Sequence, residues 1–304
     1  MLLLSACATT STTPLTETTA VTKTLLVSQV FGRFQDAVAI SSDQFGNTYV
    51  VDRGAPSVVK YSDLGDSLGV ISGFGREQYQ FDMPSDIDAR LTNSILIADH
   101  NNHRIERYTR DFAYSATVQR RQDDQEQLRF GYPTKVAADD AGNFYLIDGE
   151  NRRVLRVNSS LRPERILGAN MQLNIPGGSL FNPTLIAVDG NNNVIVFDKA
   201  RAHFVVFDEL GNAIKTRGLT NAESATGFTA LACRNDTLFA LHQNLEGVLI
   251  RLFHSPSMTS IGSWLVDDHR AMGALDLDVR HGISLLTRNA VIRANVSMTI
   301  EPLK

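Results

Sequence analysis

Ile95-Leu96-Ile97-Ala98-Asp99-His100-Asn101-Asn102-His103-Arg104-Ile105 is the stretch on which the fold turns. An apolar run ends in an aspartate, a polar His-Asn-Asn-His link follows, and a new run restarts at Arg104-Ile105. That is strand, turn, strand. The pattern recurs as Phe144-Tyr145-Leu146-Ile147-Asp148 with Asn151, Arg153 and Val154. Once one such unit is seen, the question is its period.

Working outward, six segments align: VAISSDQFGNTYVVD from Val38, IDARLTNSILIAD from Ile87, VAADDAGNFYLID from Val136, IAVDGNNNVIVFD from Ile186, LACRNDTLFALH from Leu231 and LDVRHGISLLT from Leu277. Their starts are separated by 49, 49, 50, 45 and 46 residues. Gly, Asn and Asp fill the turn between the first two strands of each unit, as in Phe45-Gly46-Asn47 and Ala141-Gly142-Asn143. A third strand is expected from Val58, Ile105, Val154, Phe204 and Val248. A fourth is expected around 68–72, 115–119, 164–167, 213–217 and 260–265. Four antiparallel strands in each of six near-equal repeats predict an all-β, six-bladed β-propeller over 24–304. The last repeat has only three clear strands, whereas Leu25-Leu26-Val27-Ser28-Gln29-Val30-Phe31 has no blade of its own. Residues 25–31 are therefore expected to close the ring as the outer strand of the last blade.

The repeats resemble the NHL family over roughly residues 30–297. The resemblance is carried by Ala98-Asp99, Asn102, Arg104 and Ile105, by the 144–154 stretch, and by the inter-blade signature Gly75, Phe81 and Pro84, repeated at Phe130 with Pro133 and at Phe181-Asn182-Pro183. Blades five and six depart from it, with His242 and Thr287 in place of the aspartate. Asp52, Asp99, Asp148 and Asp198 end their strands at one repeat position. They are expected to tie down turns and to bind Arg104 and Arg153 rather than to ligate metal. Phe81, Phe130 and Phe181 read as packing between blades.

Met1-Leu2-Leu3-Leu4-Ser5-Ala6-Cys7 resembles a lipobox cut short, which marks 1–7 as a lipoprotein signal with Cys7 as the lipidated residue. Its missing basic region is expected upstream of Met1 or trimmed away. Residues 8–23 form a Thr-rich tether, too poor in apolar residues to fold. The resemblance implies a lipid-anchored protein of the bacterial cell envelope. Ala8 after the cysteine points to the outer membrane, by likeness to enteric lipoproteins. Cys233 sits in an apolar run and is expected in the core.

The 304 residues carry 29 basic and 33 acidic side chains, a net charge of −4, which excludes a general polyanion binder. No nucleic-acid partner and no transmembrane helix are expected. Asp36, Asp86, Lys135, Asn182 and Asp276 fall near the starts of innermost strands and are expected to ring the mouth of the axial channel. Asp88 and Asp278 are expected to face its water. Arg53, His100 and Lys199 begin loops on the same face, a platform for a protein partner. The expected function is a non-catalytic binding or scaffold module without a cofactor. The alternative, implied by likeness to gluconolactonase-like propellers, is a hydrolase or lyase holding Ca²⁺ or Mg²⁺ on Asp36, Asp86, Asn182 and Asp276. No triad, phosphate loop or redox cysteine pair is evident, and Trp264 falls in an outer strand, away from any sugar platform.

Overall fold

A computed structural model describes residues 22–169, 175–220, 227–244 and 247–296. The described residues are almost entirely β-strand, with two 3₁₀ turns at Glu126–Leu128 and His269–Ala271. In chain order, β1 is Thr22–Phe31. Blade one follows as β2 (Ala37–Ser42), β3 (Thr48–Asp52), β4 (Ser57–Tyr61) and β5 (Ser67–Ser72). Blade two is β6 (Pro84–Asp88), β7 (Ile95–Asp99), β8 (Arg104–Tyr108) and β9 (Tyr114–Gln119). Blade three is β10 (Pro133–Ala138), β11 (Phe144–Asp148), β12 (Arg153–Val157) and β13 (Pro163–Ile166). Blade four is β14 (Pro183–Val188), β15 (Val194–Asp198), β16 (His203–Phe207) and β17 (Ala213–Gly218). The next four strands are β18 (Ala230–Arg234), β19 (Thr237–Asn244), β20 (Gly247–His254) and β21 (Thr259–Val266). The chain ends its described part with β22 (Asp276–Asp278), β23 (Ile283–Leu286) and β24 (Val291–Val296).

Blades one to four are separate four-stranded antiparallel sheets. The rest is one eight-stranded sheet, in the order β18-β19-β20-β21-β1-β24-β23-β22. β1 pairs antiparallel with β24, Leu25 opposite Val296 and Phe31 opposite Val291, and so completes the last blade from outside. Its first residues also run parallel to β21, Thr22 opposite Ser263 and Leu25 opposite Val266. One strand thus covers two sheet edges that would otherwise be open to pairing with another molecule. β1 takes in Thr22 and Lys23, which were expected in the Thr-rich segment before the propeller. Cys7 and the rest of the segment 1–21 lie outside the described residues. The innermost strands β2, β6, β10, β14, β18 and β22 neighbour one another in a closed ring.

The core lies between blades. The clusters of buried side chains join adjacent blades, such as Leu96, Ala98 and Ile105 of blade two with Val136, Phe144 and Leu146 of blade three. Each blade is therefore packed on both faces, which is why all five residues of β3, β7, β11 and β15 are buried. The same fact makes Ile95–Asp99 an unbroken apolar run in the sequence.

Phe81 and Phe130 are buried at blade junctions as their spacing implied. Phe181 is not: it is half-exposed, with the Arg201 guanidinium 3.9 Å above its ring. Blade four reaches its inner strand without tucking this phenylalanine inward. The pairing also corrects the alignment of blade one. Ser41 lies opposite Tyr49, as Ala137 lies opposite Tyr145, so Ser41 rather than Ala39 matches Asp88 of blade two.

Candidate functional site

The strand-ending aspartates are structural. The Asp99 carboxylate accepts from the Asp82 N–H, the Asn102 amide and the Arg104 Nε at 2.8 Å each. Arg104 then spends its other nitrogens on the carbonyls of Arg76 and Gln80. Asp148 and Arg153 repeat the device, with Arg153 reaching the carbonyls of Gln127 and Arg129. Asp52 accepts from the N–H groups of Gln35, Asp36 and Gly54. Asp198 accepts from those of Asn182 and Ala200. Each carboxylate pins the linker that enters its own blade, and in blades two and three an arginine extends the clamp.

The ring of inner strands encloses an axial cavity of about 440 Å³. Of the five residues expected at its mouth, Asp86, Lys135 and Asp276 line it, and Asp36 and Asn182 do not. Asp36 is turned aside into an ion pair with Arg53 at 2.7 Å, with Arg288 at 3.7 Å. Asn182 is exposed, its backbone N–H bound to Asp198 and its carbonyl to the Lys199 N–H. Both sit in the linker before the inner strand, three residues ahead of the position that Asp86 holds in its blade.

Asp86, Lys135 and Asp276 form a mixed-charge cluster. Lys135 Nζ stands 2.9 Å from Asp86 Oδ1. Burial pushes the Asp86 carboxyl up to about 6, against the pull of Lys135 and with the push of Asp276. Burial raises Asp276 as well, opposed by the Lys135 ammonium. Burial alone would lower the Lys135 ammonium, but the two carboxylates carry it above the ordinary lysine value.

Four of the cavity aspartates, Asp86, Asp88, Asp276 and Asp278, also bind backbone of the next blade in a regular way. Asp86 Oδ2 accepts from the Val136 N–H and Asp88 Oδ2 from the Ala138 N–H, both on the inner strand of the next blade. Asp276 and Asp278 do the same for Ile40 and Ser42. Ser41 Oγ accepts from the Ala89 N–H, completing the series from blade one to blade two. An innermost strand has no further strand to pair with, so alternate N–H groups would be left open. The motifs Asp86-Ile87-Asp88 and Asp276-Leu277-Asp278 close them for the next blade round the axis. The sequence marked these acids as unusual; their acceptor role depended on which strand came to lie beside them.

A divalent ion fits this cluster poorly. The Lys135 ammonium already sits against Asp86, one oxygen of each aspartate is taken by a backbone N–H, and Asp36 and Asn182 are absent. Among the described residues, no group of three His, Cys, Asp or Glu side chains is placed to hold a metal ion.

The opposite end of the cavity was missed in the sequence. Arg90, Arg234 and Arg280 line it, each two residues beyond Asp88, Ala232 and Asp278. In blades one, three and four the same position holds Asp43, Asp139 and Asp189, each bound into its own turn through Asn47, Asn143 and Asn193. Arg in place of Asp at one repeat position, in three blades of six, was the available signal. Cys233 also lines the cavity, and burial pushes its thiol up to about 12. His100 Nδ1 meets the Pro133 carbonyl at 3.2 Å and lies beside the Tyr132 ring. Lys199 is exposed on its loop.

No protein-family model matches the sequence, and no curated protein matches it. Solved structures do resemble it. A gluconolactonase of Xanthomonas campestris superposes with a TM-score of 0.63 at 10% identity, covering 92% of this chain and 97% of that one. Virginiamycin B lyase from Staphylococcus aureus gives 0.58 at 10% identity, covering 88% and 99%. A chain of a nidogen–laminin complex gives 0.56 at 16% identity, covering 78% and 82%. At such identities the likeness shows the β-propeller fold and nothing about activity.

Proposed function

We propose that this chain is a non-catalytic binding propeller of the NHL kind, tethered through Cys7 to a bacterial envelope membrane. One observation carries the non-catalytic reading: the carboxylates at the mouth of the axial cavity are engaged in holding the ring. Asp86 and Asp276 each accept a backbone N–H, Asp86 pairs with Lys135 and Asp276 feels its charge, so neither is a free base, nucleophile or metal ligand. The fold neighbours include enzymes and a protein-complex component alike, so the site has to decide.

The binding reading rests on the loops that follow β3, β7 and β15. Arg53, His100 and Lys199 start these loops at one repeat position, and the neighbouring linkers hold them to the body of the blade. The Arg53 and Lys199 N–H groups donate to the carbonyls of Asp36 and Asn182. A rigid face with a different side chain on each loop suits a protein partner at the envelope. The tether is supported by the lipobox-like start and the Thr-rich segment after it.

The test is site-specific photo-cross-linking from positions 53, 100 and 199 in native membranes. A discrete adduct, lost when the other two positions are changed to alanine, is the expected result. Divalent-dependent lactone hydrolysis or lyase turnover that disappears in Asp276→Asn would overturn the reading. Cys7→Ala is expected to move the protein from the membrane to the soluble fraction.

A further inference from the structure

We infer that the end of the axial cavity lined by Arg90, Arg234 and Arg280 binds a small oxyanion, a phosphate or carboxylate group. The inference goes beyond the partner-binding reading and does not rest on it.

The first ground is a cluster of three guanidiniums without a direct ion pair. Among the described residues, none of the three guanidiniums has a carboxylate within ion-pair distance. Their hydrogen bonds go to main-chain carbonyls. Arg90 Nη1 crosses from blade two to the Val188 carbonyl of blade four at 2.6 Å. Arg234 Nη1 meets the Val279 carbonyl at 3.3 Å. Arg280 Nη1 and Nη2 rest on the carbonyls of Ser42, Ala89 and Arg90 at 3.2 to 3.4 Å. Arg90 and Arg234 each commit one donor, which leaves most of their N–H groups for a ligand. Holding the Arg90 and Arg280 guanidiniums partly out of water without an ion-pair partner is unfavourable, and an anion between them and the exposed Arg234 relieves it.

The nearby carboxylates are hydrogen-bonded elsewhere, and Asp278 acts on Arg280 only through space. Asp88 Oδ1 takes the Arg90 N–H and Asp278 Oδ1 the Arg280 N–H, while their other oxygens hold Ala138 and Ser42. Asp189 is bound by Asn191, Asn193 and Ser255. Asp140 also lines this end, exposed on its turn as Arg234 is, and it makes no ion pair with the three guanidiniums among the described residues.

The second ground is the backbone. The position that staples Ser42, Ala89 and Ala138 through Asp278, Ser41 and Asp88 holds alanine in the other three blades: Ala137, Ala187 and Ala232. Alanine accepts nothing. The equivalent N–H groups of Val188, Cys233 and Val279 are therefore left without a side-chain acceptor from the preceding blade. Val188 and Cys233 follow the register in which N–H points away from the second strand of the blade, and all three residues line the cavity. Three guanidiniums and a half-ring of such N–H groups make a donor-rich pocket suited to a multivalent oxyanion.

Isothermal titration of the full chain with inorganic phosphate and with citrate, at matched ionic strength in chloride, tests the inference. The two arms separate a phosphate from a carboxylate ligand. Saturable one-site binding of at least one is expected, weakened about tenfold or more in Arg234→Gln and in Arg90→Gln, and unchanged in Arg162→Gln on the outer rim. Should Arg90→Gln lose the fold through its bond to Val188, Arg234→Gln carries the test, because its guanidinium makes a single backbone contact. No saturable binding of either anion, equal affinity in Arg234→Gln, or equal weakening in Arg162→Gln would overturn it.

Discussion

At the residue scale the decisive group is a carboxylate that accepts from main chain. Asp99 is fully buried and receives three donors, one of them a guanidinium that is itself largely buried. Asp99→Ala leaves Arg104 and the Asp82 N–H without that partner inside the protein, so a loss of about 3–5 kcal/mol is expected in urea denaturation. Asp99→Asn keeps two acceptor lone pairs and should lose clearly less. If both variants cost the same, the acceptor role is wrong and only the charge matters. This role was legible beforehand, because Asp, Asn and Arg at fixed offsets are local chemistry. The fate of Asp36 was not, since its diversion to Arg53 is settled by where the linker to blade one turns.

At the element scale the instructive strand is β1. Nothing in Leu25–Phe31 states which edge it will occupy. Its place against β24 followed from counting strands, but its parallel contact with β21 followed from the approach of two outer edges that lie far apart in sequence. Leu25 is fully buried between them, packed near Val248, Val266 and Ile292. Leu25→Ala is expected to destabilise by about 2–5 kcal/mol, read as a shift in denaturation midpoint. Removing Thr22–Phe31 exposes β21 and β24 together, and light scattering should show association at concentrations where the full chain stays clear. A deletion variant that remains monomeric would show that β1 is not the closing strand.

At the scale of the whole molecule, charge is stored near the axis and between the blades. Burial holds Asp86, Asp99, Glu106, Asp276 and Asp278 above the ordinary carboxylate range. A raised folded-state pKa means that the folded chain binds more protons than the unfolded one between the two values. That contribution to stability is present at the acid end of the window and is lost as pH rises through it. For Asp86 the window runs from the ordinary 3.8 to about 6. The exposed Asp268–Arg270 pair acts in the opposite sense, and solvent screens it. The melting temperature should therefore fall as pH rises across the Asp86 window, and Asp86→Asn should flatten that slope. A slope unchanged in the variant would mean that Asp86 titrates like a free carboxyl.

By itself, the sequence determined the repeat, the four-strand unit, the turns and the clamp around each strand-ending aspartate, because all of these are made by residues close along the chain. It also marked Asp88 and Asp278 as out of pattern. Only the tertiary structure decided which residues reach the axis, that Asp86, Lys135 and Asp276 meet while Asp36 and Asn182 do not, and that three arginines from blades two, five and six share one end of the cavity. The reason is geometric. Groups facing the axis come from different blades, up to roughly two hundred residues apart, and the angle at which each inner strand enters the ring sets their distances, which no local pattern encodes.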